Sequence, residues 1–246
     1  AVPGNPCPDR RAHYSVQILL VASHMENRLL AALPDSARSA LIGRAQRIAL
    51  AQKAVLVERG ALVSELYFPL SGLLSVVVRV TESAAVEVAT VGNEGFVGAP
   101  AFLGAERSAT EVVVQIPGEA LQVPVDAVSA QAGRLLERYI AALMTQMSQS
   151  TACNYLHSVG QRLCRWLLAT HDRVEGDELE LTQEFLAQML AVRRPTVSEV
   201  AGVLQQAGII EYHRGRIRIL DRARLEQGAC ECYGIVRAEL DRVFAG

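Results

Sequence analysis

Residues 181–220, LTQEFLAQMLAVRRPTVSEVAGVLQQAGIIEYHRGRIRIL, carry two apolar stripes of helical period with only three or four residues between them. Two helices joined by so tight a turn must cross steeply. Thr182 stands where it can cap the first helix, and Glu184 suits the positive end of that helix's dipole. Its inward positions are Phe185, Leu186, Met189 and Leu190, with Ala187 small enough for close packing. The second stripe runs through Val197, Val200, Ala201 and Leu204 and stops before Gly208. Pro195 falls in its first turn, where a missing N–H costs nothing. A hairpin should follow, turning at Arg214-Gly215, with Ile217 and Ile219 on one face and Arg216 and Arg218 on the other. This is a helix-turn-helix with an arginine-lined wing.

Charge sharpens that reading. The formal net charge is −2, which excludes a uniformly basic coat, and Lys53 is the single lysine. Yet residues 192–218 hold five arginines against Glu199 and Glu211. In a helix-turn-helix the first residues of the second helix meet base edges in the major groove. Here those are Arg193, Arg194, Thr196, Ser198 and Glu199. Arginine fits guanine O6 and N7, and Glu199 can accept from a cytosine amine. Thr182 and the wing residues Arg214 and Arg216 complete the candidate DNA-binding set, with the wing suited to phosphates. Two plainer readings stand beside this one: a helix pair that merely packs, and a wing that is only a solvated edge.

The rest of the chain changes period twice. Residues 26–51 read as helical, with a start at Asp35-Ser36 after Pro34. Residues 55–125 alternate, are rich in β-branched side chains, and are punctuated by Gly92, Gly95, Gly98, Gly104 and Gly118, as in a sandwich or small barrel. From Ser129 a long helix is expected, with Leu136, Ile140, Leu143 and Met147 at 4-3-4 spacing and Ser150, Asn154 and His157 continuing it. That seam predicts either a homodimer or packing on the chain's own β unit. Residues 171–180, HDRVEGDELE, read as a short acidic hinge.

The expected fold class is therefore α+β, with an N-terminal β-roll of jelly-roll-like barrel form, a long dimerisation helix and a C-terminal winged helix-turn-helix. The expected divisions are a leader or tag at 1–25, a sensor unit at 26–128, the long helix at 129–156, the DNA-binding unit at 157–223 and a terminal helix at 224–246. The SHM preceding Glu26 suggests that the leader is extraneous.

The five cysteines are odd in number and scattered, which favours a reducing, cytoplasmic setting, and no stretch is apolar enough for a membrane span. Cys230-x-Cys232 is poorly spaced for tetrahedral zinc without two further ligands, so no metal and no cofactor is expected; a redox-sensitive thiol pair is the alternative. No P-loop, H-E-x-x-H, G-x-S-x-G or dinucleotide fingerprint is present and the histidines are dispersed, so no catalytic residues are expected and the chain does not read as an enzyme.

Over about residues 26–224 the sequence resembles the Crp/Fnr family of bacterial transcription regulators, most specifically in LTQEFLAQMLAVRRPTVSEVAGVLQQAGII. The resemblance implies a cyclic-nucleotide-binding-like β-roll, a homodimer on two-fold double-stranded DNA sites, a small-molecule effector, and RNA polymerase as a further partner. Two departures matter. Where the cAMP-responsive member reads bases through arginine, glutamate and a second arginine, this chain has Arg194, Pro195 and Glu199, so a different DNA site is expected. Nucleotide-binding members carry F-x-G-E followed by R-[ST]-A. Here FVGAPAFLGAERSA keeps Gly98, Arg107 and Ser108 as candidate effector residues but puts Ala99 in place of the glutamate. An effector other than a cyclic nucleotide, or none, is expected. The N-terminal cysteine cluster of the iron–sulfur branch is missing, Cys7 standing alone. The competing expectation is a small-molecule or redox sensor whose winged helix contacts protein.

Overall fold

The computed structural model describes residues 26–81 and 84–245; the expected leader and Cys7 lie outside them. Two short helices, α1 (Arg28–Ala31) and α2 (Asp35–Ile42), precede the β unit. One antiparallel sheet has the order β1-β7-β3, built from β1 (Gln46–Leu50), β7 (Gly118–Pro124) and β3 (Glu65–Pro69). The other, β2-β6-β4-β5, takes β2 (Val55–Val57), β6 (Glu111–Ile116), β4 (Leu73–Thr81) and β5 (Ala84–Val91). Together they form a roll that does not close into a barrel, with Leu66, Phe68, Val76, Val112 and Val114 in its core. A short helix, α3 (Ala99–Phe102), lies in the β5–β6 connection.

The helical reading of residues 26–51 holds only as far as Ile42. Gln46–Leu50 is a strand paired along its length with β7. Its residues have helix-tolerant side chains, so the pairing, and the burial of Leu50, override local propensity.

Ser129 caps the long helix α4 (Ala130–Leu156), its hydroxyl accepting from Ala132 N. The 4-3-4 stripe faces inward. Leu136, Ile140 and Leu143 are buried in the roll's core, Met147 packs against it, and Tyr139 lies tilted on Phe96 at 5.3 Å between ring centroids. The terminal helix α9 (Cys232–Phe244) folds back along α4 and adds Leu240 and Val243 to the same core. Of the two readings of this seam, packing on the chain's own β unit is the one these residues take. A second stripe of heptad spacing, Glu137, Ala141, Met144, Ser148, Thr151 and Tyr155, faces solvent instead; Met144 is 63% exposed and Tyr155 89%.

Beyond α4, helix α5 (Val159–His171) opens with a full capping box of Ser158 and Gln161. The acidic segment read as a hinge contains a strand, β8 (Glu178–Glu180), paired with β10 (Arg216–Ile219), which also pairs with β9 (Ile210–His213). Three residues with one buried side chain, Leu179, give too short an alternation to be read as a strand from sequence alone. Between β8 and β9 lie α6 (Gln183–Met189) and α7 (Arg194–Gln206). A second core joins Leu163, Trp166 and Leu167 of α5 to Leu186, Val197, Leu204, Ile210 and Ile217. The expected single terminal helix is broken: α8 (Arg222–Gly228) ends before Ala229, and α9 starts at Cys232.

The two cores are tied across their seam. Arg173, just past α5, donates to Glu94 at 2.8 Å, and these side chains are only 6% and 4% exposed. Glu87 on β5 accepts from Trp166 Nε1 at 2.8 Å and from Ser75 Oγ at 2.6 Å. Among the described residues no helix is long and apolar enough to cross a membrane.

Candidate nucleic-acid interface

The helix pair is assembled from local signals. Thr182 Oγ1 accepts from Phe185 N and starts α6, and Leu186, Ala187, Met189 and Leu190 bury its inner face. Phe185 is only partly buried. The turn is closed by Ala191 in the left-handed region at φ 50, with Val192 N donating to Ala187 O at 2.9 Å. That conformation costs a residue with a Cβ about 1–2 kcal/mol, so the packing of the two helices over-determines it. Pro195 sits in the first turn of α7, and Gly208, at φ 69, follows its C-cap Ala207. The wing turn is Arg214-Gly215 with both φ values positive, 48 and 82, as a two-residue type I′ hairpin requires.

Sequence-derived candidates separate into four groups, with Arg194 shared by two of them. Thr182, Arg194 and Arg214 line one cleft of about 600 Å³, together with Gln183, Tyr212 and, from the roll, Lys53. Arg193, Arg194 and Thr196 line a second, about 860 Å³, whose far wall carries Arg79, Ala85 and Val86 of the β4–β5 hairpin. Glu199 is exposed farther along α7. Ser198 and Arg216 are committed elsewhere. The Ser198 hydroxyl donates to Gln183 Oε1 at 2.8 Å, bracing α7 on α6. Arg216 faces Glu178 and Glu180 across β8 at 3.4 and 3.3 Å.

Arg193 and Arg194 remain exposed at the amino end of α7, with no ion pair to either among the described residues. Two cations at the positive end of a helix dipole repel it in the free chain, an arrangement that a phosphate or guanine edge relieves. Tyr212 supports this corner by donating to Leu181 O at 3.0 Å; burial pushes its hydroxyl up to about 12 against the pull of Arg194, so it stays a donor at neutral pH. Gln183, Tyr212 and Lys53 had no sequence signal for this cleft. Lys53 reaches it only through the tertiary fold.

The effector candidates are held by their own surroundings. Arg107 is exposed and donates to Gly60 O at 2.7 Å. Ser108 is buried, its hydroxyl donating to Thr110 O at 2.7 Å and accepting from Thr110 N. Gly98, at φ 106, lies so close to β3 that a Cβ would come within 2.5 Å of Glu65 O. Its lack of a side chain is already accounted for by that approach.

Two family models match the chain: one described as a cyclic nucleotide-binding domain, over residues 47–133, and one as a Crp-like helix-turn-helix domain, over residues 161–227. Similar solved structures include a CRP-family transcriptional regulator from Thermus thermophilus, 22% identical, with 75% of this chain and 96% of that one covered at a TM-score of 0.65. FixK2 from Bradyrhizobium japonicum is 14% identical over 76% of this chain and 98% of its own, TM-score 0.65. The c-di-GMP responsive global regulator CLP from Xanthomonas campestris is 14% identical over 76% and 99%, TM-score 0.61. At such identities these likenesses speak for the fold. A search of curated proteins returned no match.

Proposed function

The chain belongs to the Crp/Fnr family of transcription regulators, and from that premise we propose that it is a homodimeric, sequence-specific DNA-binding protein. The amino end of α7 enters the major groove, with Arg194 on a base edge, Arg193 and Thr196 beside it, and Arg214 on phosphate. The observation that carries this is the pair Arg193 and Arg194, solvent-exposed at a helix start. Ser198 and Arg216 take supporting parts, one fixing the angle between α6 and α7, the other holding β8 to the wing.

The proposed dimer uses the outer stripe of α4, around Ala141, Met144, Ser148 and Tyr155, because the inner stripe is occupied. Small side chains there let two copies of α4 approach closely, and Tyr155 offers a large contact at the end nearest the DNA-binding unit. Ala99 in place of a ribose-binding glutamate, and the inward bonds of Arg107 and Ser108, favour an effector that is not a cyclic nucleotide.

The corner bearing Arg194 faces Lys53 and the β4–β5 hairpin across open clefts, so a duplex reaches it only when the DNA-binding unit swings outward. An effector acts by binding the two arrangements unequally. The test is duplex binding at graded salt. Log affinity should fall linearly with log salt, with a slope of about −0.9 for each phosphate neutralised. Failure to bind any duplex at low salt would move the winged helix to a protein-contact role.

A further inference from the structure

On its own, Cys230-x-Cys232 is two ligands short of a tetrahedral metal centre, and the fold supplies both. The last turn of α4 carries Cys153, and His157, four residues on, is its C-cap. The break between α8 and α9 brings Cys230 and Cys232 against them. The three thiols are buried and form a cluster apart from both apolar cores. The four ligand atoms all lie within 4.8 Å of one another. Cys153 Sγ is 3.5 Å from Cys230 Sγ, and Cys232 Sγ is 3.5 Å from His157 Nδ1. A tetrahedron with Zn–S bonds of about 2.3 Å has edges of about 3.8 Å, so the two 3.5 Å pairs move by a few tenths of an ångström and the longest separation closes by at most about 1 Å.

The surroundings fit a metal better than four idle side chains. His157 Nε2 is 3.2 Å from Glu231 Oε1, the carboxylate-to-imidazole arrangement that orients a metal-binding histidine and leaves Nδ1 for the ion. Gln149 Nε2 donates to Cys232 Sγ at 3.4 Å, as an amide does to a thiolate. Three thiolates, a neutral imidazole and a divalent ion leave one net negative charge. Arg162 and Arg165 both lie within electrostatic reach of Cys153, and each has a buried Nε with no hydrogen-bond partner. Cys164 shows the contrast: it sits alone among leucines in the second core and behaves as a small apolar residue.

We propose that Cys153, His157, Cys230 and Cys232 form a structural Cys₃His centre for a zinc ion. Soft thiolates with one imidazole in a closed, buried set select zinc over harder divalent cations. Binding releases the thiol protons to solvent, so it strengthens with pH until the thiols are ionised. The position gives the ion its role. His157 ends α4 and Ser158 starts α5, so the centre clamps the terminal helix onto the junction between the sensor and DNA-binding units. From the first turn of α5, Arg162 donates to Leu190 O at the end of α6. The ion thereby stiffens the path from α4 to the helix-turn-helix, whether or not the chain binds DNA.

Elemental analysis of the full chain, purified reduced and without a metal-affinity tag, tests this. One zinc per chain is expected, replaceable by Co(II) with the intense visible bands of a tetrahedral, thiolate-rich site. Cys230→Ser and Cys232→Ser should lose the ion, and Cys164→Ser should keep it. Glu231→Gln, which leaves every ligand in place, should weaken zinc by about 10–100-fold in competition with a chelating dye. A folded, reduced chain that takes up neither Zn(II) nor Co(II) overturns the proposal. So does full zinc retention in Cys230→Ser, iron with acid-labile sulfide in place of zinc, or a Cys153–Cys230 disulfide as the only state recovered.

Discussion

Two arginine motifs in this chain meet opposite fates. In the roll, Arg107 turns its guanidinium to the Gly60 carbonyl and Ser108 closes on Thr110, so both side chains bond to the chain's own backbone. In the winged helix, Arg193 and Arg194 stand exposed at a helix start with no acidic partner among the described residues. Both motifs look equally cationic in sequence. What separates them is the setting: a backbone carbonyl tethers Arg107 at Gly60, whereas Arg193 and Arg194 stand at a helix start whose dipole adds to their positive field.

The comparison depends first on the seam that holds the two regions together. Arg173→Ala leaves Glu94 buried without its cation and should destabilise the chain by about 3–5 kcal/mol, read from the denaturant midpoint. A loss below about 1 kcal/mol would mean that the two regions stand independently.

Next comes pH. Burial raises the Glu87 carboxyl from 4.5 to about 7, against the lowering effect of the hydrogen bonds from Ser75 and Trp166 and the charges of Arg165 and Arg173. A carboxyl raised on folding contributes stability that is fully present below its unfolded value and lost as pH rises through its folded one. Stability should therefore decline by roughly 2–3 kcal/mol between about pH 4.5 and 7 and then level off. In Glu87→Gln that slope should flatten; an unchanged slope would place the titrating group elsewhere.

Smaller effects discriminate within the interface. Arg194→Ala should cost about 1–3 kcal/mol in DNA affinity and relax preference at one base position, seen by binding to single-base variants of a selected site. Arg216→Ala should cost less than about 1 kcal/mol, since its exposed pairs with Glu178 and Glu180 contribute little and already occupy it. Arg107→Ala should leave DNA affinity unchanged with or without added cyclic nucleotides. An Arg107→Ala effect as large as that of Arg194→Ala would erase the contrast between the two motifs.

Legibility from sequence followed the range of the physics involved. Thr182, Pro195, Gly208 and Arg214-Gly215 act within a turn of themselves, and each marks the boundary its chemistry implies. Gln46–Leu50 and Glu178–Glu180 became strands only because β7 and β10 lie beside them, which no local window contains. The same limit misled the charge count of the wing. Residues 192–218 hold an excess of arginine, but Glu178 and Glu180 pair with Arg216 from outside that window. The α4 seam had the right period, and of its two readings the structure shows packing on the chain's own β unit, to which the terminal helix adds Leu240 and Val243 from about a hundred residues on in sequence. Cys153 and His157 were hidden for the same reason: their partners arrive from the far end of the chain.

Selection from a random duplex library by the wild-type chain, run beside Arg194→Ala, decides whether the amino end of α7 reads bases. The wild-type chain should enrich a two-fold symmetric site with half-sites about one helical turn apart, and the variant should be degenerate at one position of each half-site. No enrichment at low salt, or an identical motif from both proteins, would contradict it.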